Sequence, residues 1–332
     1  MIDTFLSKDD LWALSITVTG RCNCYCSYCH FYAHRDRSKY NIDLNDDIYR
    51  NYLNVINEIK DNYHKNIQVR FSGGEPLVIG DRIFDLSNQM YDKTGIKPYI
   101  LTNGILLNED IIEKSKKNNI SAYLVSIENP FEEDEGAPRT KEILEKIKKL
   151  DSSEVRVLPA IMIIKNKMFK KLLDIADYVY DQIGVLPSFS ELTYQAYESP
   201  TEEELRDLYN NLKQISRKYY NKAPIRVFPY ISPELYANNQ KNYLSELDLE
   251  NSINVNDTNS GDVAKSLFEK LGKSYKENPC ENKECDWYED CRIIKWLWFY
   301  PNENINTKQK LLDYCKFKKV INTALYDGII GE

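Results

Sequence analysis

No stretch of the chain approaches the ~20 consecutive apolar residues that a membrane-spanning helix needs, and the mean hydropathy is -0.56. A secretory signal is also missing: Asp3, Asp9 and Asp10 surround the short apolar patch near the N-terminus. Basic residues are not in excess, since 44 Lys and Arg face 51 Asp and Glu for a net charge of -7. That balance, with no added RNA-binding motif, argues against a nucleic-acid partner held through its phosphates. Histidine is scarce, with only His30, His34 and His64. His30 adjoins Cys29, but a packing role accounts for it. There is no internal repeat beyond strand–helix alternation and no low-complexity tract. Cysteine is absent from the 250 residues between Cys29 and Cys280. Together these absences exclude membrane, secreted, fibrous and histone-like classes and lead us to expect a cytoplasmic protein.

What is present is a core-forming composition, 42% hydrophobic and 29% charged over 332 residues. That length suits one large α/β unit plus a smaller one. Apolar, β-branched runs predict strands at Ala13–Val18, Ile67–Phe71, Pro98–Leu101, Ile120–Val125, Val155–Ile163 and Ser188–Tyr194. Helical spacing of apolar residues predicts helices at Asp43–Asp61, Asp81–Tyr91, Glu109–Lys117, Thr140–Leu150, Met168–Tyr180 and Thr201–Tyr220. Asp43 is the expected cap of the first, and Thr201 with Glu204 has the capping-box spacing. Six repeats of strand and helix imply parallel strands with right-handed crossovers, a partial (β/α)6 TIM-like barrel. We expect the barrel over residues 1–230 and a small C-terminal module over 231–332. Residues 237–262 are polar and read as a loop, with a lid, a peptide clamp and disorder all open. The aromatic segment Ile293–Phe299 reads as a core strand of the small module. The runs Lys146–Leu150, Lys165–Lys171 and Lys316–Lys319 read as solvated faces.

The eight cysteines fall in two groups, the distribution of two metal sites rather than of a disulfide scaffold. In RCNCYCSYCH, Cys22, Cys26 and Cys29 are separated by three and then two residues, directly after the first strand. Three thiolates on one loop can each bind a different iron of a [4Fe–4S] cubane and leave the fourth iron open. A structural zinc needs four ligands and usually pairs them at longer intervals. Cys24 reads as a spare thiol. The second group, Cys280, Cys285, Cys291 and Cys315, has gaps of four, five and twenty-three residues. Four thiolates complete one cubane with no open iron; a zinc knot held by the same four is the alternative.

The CxxxCxxC spacing resembles the signature of the radical S-adenosylmethionine (radical SAM) superfamily. The resemblance implies that the open iron chelates SAM and that Tyr28 lies near its adenine. FSGGEP after the second strand resembles the family's GGE motif. It implies that Gly73, Gly74 and Glu75 contact the SAM amino group; glycine lets backbone approach a ligand, and a carboxylate pairs with an ammonium. LTNG after the third strand matches a frequent TNG and aims Asn103 at the site. Ser126 and Glu128 occupy ribose-contacting positions, although this chain has Glu128-Asn129 where relatives often have Asp-Gly. Asn166 and Gln195 resemble polar residues after the fifth and sixth strands. All fall at the C-terminal ends of successive strands, one face of a parallel barrel. The second cysteine group resembles the auxiliary-cluster modules called SPASM and twitch. With four cysteines it is closer to the twitch type, holding one auxiliary [4Fe–4S] cluster that relays an electron or staples the module.

By resemblance, one electron from the reduced cluster cleaves SAM to methionine and a 5′-deoxyadenosyl radical, which abstracts a substrate hydrogen. A flavodoxin or ferredoxin is the expected reductant. The favoured substrate is a ribosomally synthesised peptide, modified by crosslinking, epimerisation or oxidation. Alternatives are dehydrogenation of a small carbohydrate-like metabolite and a non-catalytic metal-binding protein. Only 21 residues precede Cys22, too few for a leader-binding domain, which either weighs against a peptide substrate or implies that a separate leader-binding protein presents the leader. The acidic stretch Glu132-Glu133-Asp134-Glu135 could meet a basic peptide, or be a solvated loop. No residue stands out as a general base or radical quencher.

Overall fold

The computed structural model describes residues 11–26, 43–63, 66–132, 138–163, 166–191, 200–219, 222, 226–228, 316, 319–321 and 323–328. Seven parallel strands form one sheet in sequence order: β1 (Leu11–Thr19), β2 (Asn66–Gly73), β3 (Tyr99–Thr102), β4 (Ala122–Ile127), β5 (Arg156–Ile163), β6 (Ser188–Glu191) and β7 (Arg226–Phe228). Each strand pairs with the next. Among the described residues β1 and β7 do not pair, so the sheet is an open, partial barrel. The six expected strands are all present. The seventh was not expected, because three residues around an arginine carry no periodic signal.

The helices are α1 (Asp46–Tyr63), α2 (Arg82–Thr94), α3 (Glu109–Lys117), α4 (Thr140–Leu150), α5 (Leu172–Ile183) and α6 (Glu202–Tyr219). One helix per crossover is what a parallel sheet requires. Short 3-10 turns at Pro76–Ile79 and Asn166–Lys171 lead toward α2 and α5. The predicted Met168–Tyr180 helix is therefore divided, its first residues forming the second of these turns. The Thr201–Glu204 capping box is real: the Glu204 N–H donates to Thr201 Oγ1 at 3.2 Å, and the Thr201 N–H donates to Glu204 Oε2 at 2.7 Å.

Asp43 does not cap α1. The Asp47 N–H donates to Asn45 Oδ1 at 2.7 Å, so Asn45 is the cap and the helix starts three residues later than expected. Asp43 is engaged elsewhere, with a partner far upstream.

Alternation along the strands sorts the two sheet faces. Val18, Val69, Phe71, Ile100, Tyr123, Val125 and Ile127 are buried in the core that α1–α4 complete. On the opposite face of β1 and β2, Ser15 Oγ lies 2.8 Å from Ser72 Oγ, and the Arg70 guanidinium donates to Ser15. The inner face is thus partly polar. Near the C-terminus residues 323–328 are helical and return to α6. Ser216 Oγ donates to the Leu325 carbonyl at 2.8 Å, Tyr209 OH bonds Asp327, and Ile321, Ala324 and Leu325 join the core. Cys280, Cys285, Cys291 and Cys315, residues 237–262 and Ile293–Phe299 lie outside the described residues. No described helix is long and apolar enough to cross a membrane.

Candidate active site

The C-terminal ends of β1–β4 carry Cys22 and Cys26, Gly73 to Glu75, Asn103, and Ser126 with Glu128, in that order. After β1 the chain passes through Gly20 and Arg21 into the cysteine loop, of which residues to Cys26 are described. Tyr28 and Cys29 lie outside the described residues. Cys22 and Cys26 are partly exposed and Cys24 is buried. The Cys24 thiol is hydrogen-bonded to both Cys22 and Cys26. That bond lowers the Cys22 thiol below its ordinary value, outweighing burial and the nearby Glu75 and Cys26. Cys24 itself is raised by the same bonds and by burial. The Cys24 backbone N–H also donates to Cys22 Sγ at 3.3 Å, so the spare thiol of the sequence lies directly beside a candidate ligand. Among the described residues, no three His, Cys, Asp or Glu side chains converge on a single metal-ion position. A cubane does not ask for that, because each thiolate takes a different iron.

At the end of β2 the chain turns under this loop. Gly73 has φ +134°, and a Cβ there would stand 2.1 Å from the Thr19 carbonyl oxygen. A Cβ on Gly74 would stand 2.2 Å from the Arg21 carbonyl oxygen. The Gly74 N–H donates to Thr19 O at 2.8 Å and the Glu75 N–H to Arg21 O at 2.7 Å. The two glycines thus admit the chain's own backbone, the segment that carries Cys22. Sequence reasoning connected them to a ligand and missed this partner.

Glu75 is fully buried. Its Oε1 accepts from the Leu77 N–H at 3.0 Å and from Thr102 Oγ1 at 2.7 Å, and its Oε2 from the Asn103 N–H at 2.7 Å. Burial pushes this carboxyl above its ordinary value, while the three donors pull the other way; among the described residues no cation acts on it. The carboxylate therefore binds the end of β2 to the end of β3 and keeps acceptor capacity in reserve. Asn103 follows directly. Its Nδ2 donates to Asn23 Oδ1 at 2.7 Å and to Cys24 Sγ at 3.3 Å, and lies 4.0 Å from Cys22 Sγ. Its Oδ1 accepts from the Ile105 N–H. Asn103 thus does face the cysteine loop.

Ser126 lies half-buried near the end of β4, paired in register with Ala160. Glu128 is buried, and its backbone is fixed by one hydroxyl: the Glu128 N–H donates to Thr140 Oγ1 at 2.8 Å, and Thr140 Oγ1 lies 3.0 Å from Glu128 O. Thr140, the first residue of α4, is a support the sequence did not suggest. Asn166 opens the turn after β5. Gln195 lies outside the described residues. Lys146 is not simply solvated, since its Nζ donates to the Gly104 and Ile105 carbonyls of the loop after β3. Of the acidic stretch, Glu132 pairs with Lys171 at 3.0 Å, and residues 133–135 lie outside the described residues. Tyr25, Ile105, Leu106 and Phe131 stand exposed on the loops after β1, β3 and β4.

Three comparisons bear on this arrangement. A probable GTP 3′,8-cyclase of Methanocaldococcus jannaschii is 26% identical over 247 residues, 73% of this chain and 76% of that protein. An uncharacterized protein of the same organism is 34% identical over 115 residues; the match spans 34% of this chain and only 37% of that relative's length. In overall fold the chain is similar to native anSMEcpe with bound AdoMet, with a TM-score of 0.59 at 14% identity over 95% of this chain and 99% of that one. The same protein with bound AdoMet and Cp18Cys peptide gives a TM-score of 0.58 at 15% identity, over 95% and 99%. The model of the radical SAM superfamily matches residues 16–187, from β1 to the approach of β6 and slightly more than half of the sequence. The chain belongs to the radical SAM superfamily, with the [4Fe–4S] cluster and SAM that membership implies.

Proposed function

We propose that this radical SAM enzyme modifies a ribosomally synthesised peptide by hydrogen-atom abstraction. The observation that carries the chemistry is the meeting at one sheet edge of the Cys22–Cys26 loop, the buried Glu75 carboxylate and the Asn103 amide. Cys22 and Cys26, in no disulfide and partly exposed, fit cluster ligation, and Cys29 is the third ligand. When bound, the cluster supplies one electron to the sulfonium of SAM, releasing methionine and a 5′-deoxyadenosyl radical that takes a hydrogen atom from substrate.

The chain's own residues bind and orient. The Gly74 and Glu75 N–H groups are engaged by Thr19 and Arg21, so it is through acceptors, the Glu75 carboxylate with the Gly73 and Gly74 carbonyls, that this motif would take the SAM ammonium. A buried anion with no cation near it among the described residues is suited to such a guest. Asn103 offers its Nδ2 protons beside the sulfurs. Ser126 and Glu128 lie where a ribose would be held, with Tyr28, Asn166 and Gln195 as further contacts. Exposed Tyr25, Ile105, Leu106 and Phe131 give the face the apolar area that a peptide side chain would cover. Cys280, Cys285, Cys291 and Cys315 hold an auxiliary [4Fe–4S] cluster in a module following a barrel that ends near residue 230. A flavodoxin or ferredoxin supplies electrons. The peptide reading draws support from the fold shared with anSMEcpe, solved with a bound peptide. A small-molecule substrate is the second reading, favoured by the match to the probable GTP 3′,8-cyclase over 73% of the chain.

The test uses anaerobically reconstituted protein, SAM and a strong reductant. Wild type should release 5′-deoxyadenosine, and the Cys22→Ala/Cys26→Ala/Cys29→Ala variant should not. Deuterium carried from a labelled peptide into that product supports the peptide reading. Transfer only from a labelled nucleotide or sugar overturns it.

A further inference from the structure

We propose that Asp43 and Arg21 form a clasp that positions Cys22 for cluster uptake, a role that rests on the function proposed above. Arg21 immediately precedes Cys22 and is held through both backbone and side chain. Its N–H donates to Thr19 Oγ1 at 3.0 Å, and its carbonyl accepts from the Glu75 N–H at 2.7 Å. Its guanidinium makes two parallel bonds to one carboxylate, Nε to Asp43 Oδ1 at 2.8 Å and Nη2 to Oδ2 at 2.7 Å. Thr19 Oγ1 donates to the same Oδ1 at 2.7 Å. Backbone brings the carboxylate there: Thr19 and Asp43 form an isolated antiparallel bridge, and the Leu44 N–H donates to Val18 O at 2.9 Å.

The position of Asp43 gives the clasp its meaning. The chain leaves β1 at Thr19 and is back beside it at Asp43, and all four cysteines of the first group lie between. The clasp therefore closes the segment that carries the sulfurs, through side chains that belong to none of the family motifs in the sequence. A planar fork on a carboxylate fixes orientation as well as distance, which a lysine ammonium does not. Arg21 so held presents Cys22 in one place before iron arrives, and the entropy of ordering is spent in folding rather than in cluster uptake. Arg21 and Asp43 side chains are 41% and 29% exposed, so water weakens the pair. The expected effect is severalfold.

Two measurements on the full chain test the clasp, using Asp43→Asn, Arg21→Lys and the double variant. In metal-free protein, hydrogen exchange at the Arg21 and Glu75 amides reports the order of the segment. In reconstituted protein, the rate at which a chelator removes the SAM-responsive electron paramagnetic resonance signal reports the hold on the cluster. Each single variant should raise both rates by about three- to tenfold. The double variant should be no worse than the worse single, because both remove one interaction. Wild-type rates in the single variants, or effects that simply multiply in the double, would overturn the proposal. A wild type that gives no SAM-responsive signal would instead sink the functional reading. Exchange in the metal-free chain would then decide the clasp alone, unchanged rates refuting it.

Discussion

Adding one methyl group at Gly74 should separate the cysteine loop from the end of β2. The new Cβ would stand 2.2 Å from Arg21 O and 2.7 Å from Gly20 O, where ordinary contact begins near 3.4 Å. The atoms it meets are backbone, held by β1, and no flexible side chain can swing away. The two segments must part by about 1 Å. The Gly74-to-Thr19 and Glu75-to-Arg21 hydrogen bonds, now 2.8 and 2.7 Å, would then stretch beyond useful length. Losing them costs about 0.5–1.5 kcal/mol each, and overpacking adds about 1–3 kcal/mol. Gly74→Ala should therefore destabilise by roughly 2–6 kcal/mol. Gly80→Ala is the control: φ is 62° and nothing lies within 4 Å of its Cβ, so only the left-handed backbone penalty of about 1–2 kcal/mol applies. Urea unfolding of the metal-free chains measures both. Equal losses at Gly74 and Gly80 would refute the close approach of β2 to the cysteine loop.

Thr140→Val leaves the buried Glu128 N–H without its acceptor, and should cost about 1–3 kcal/mol in urea unfolding; a neutral change would dissociate Thr140 from the end of β4. Cys24→Ala removes the thiol that lowers Cys22, so alkylation of Cys22 near neutral pH, followed by mass spectrometry, should slow by about two- to tenfold. The same variant should still take up its full iron, and a loss of one cluster would make Cys24 a ligand. Glu75 gives a pH signature. Its folded-state carboxyl lies above the ordinary 4.5, so the folded chain keeps this proton after the unfolded chain has released it. The resulting stability is complete below 4.5 and is lost as pH rises through the folded value, at no more than about 1.4 kcal/mol per pH unit. Glu75→Gln should remove that slope from urea stability measured across the acidic range, and parallel curves for the two proteins would contradict the buried carboxyl.

Local signals in the sequence translated into structure faithfully. The Thr201–Glu204 box spans four residues, and α3 and α4 begin and end where apolar spacing places them, because each rests on neighbours within one or two turns. Asn103 was legible as well, since its place follows from the end of β3. Asp43 was misread for the opposite reason. An acidic residue before an amphipathic run has the look of a cap, but its partner Arg21 lies 22 residues upstream, beyond any local pattern. Gly73 and Gly74 signalled a close approach, but not that the chain's own backbone is one of the things approached: the Cβ space is filled by Thr19 and Arg21 carbonyls. Thr140 gave no signal, because a threonine at a helix start is ordinary, and its contact with Glu128 exists only once α4 docks.

The open iron of a cluster on Cys22, Cys26 and Cys29 is most directly examined by electron paramagnetic resonance of the reduced, anaerobically reconstituted chain with and without SAM. SAM should shift the signal of one [4Fe–4S] cluster, and the shift should vanish in the Cys22→Ala/Cys26→Ala/Cys29→Ala variant. An identical spectrum with and without SAM in a fully loaded wild type would contradict it.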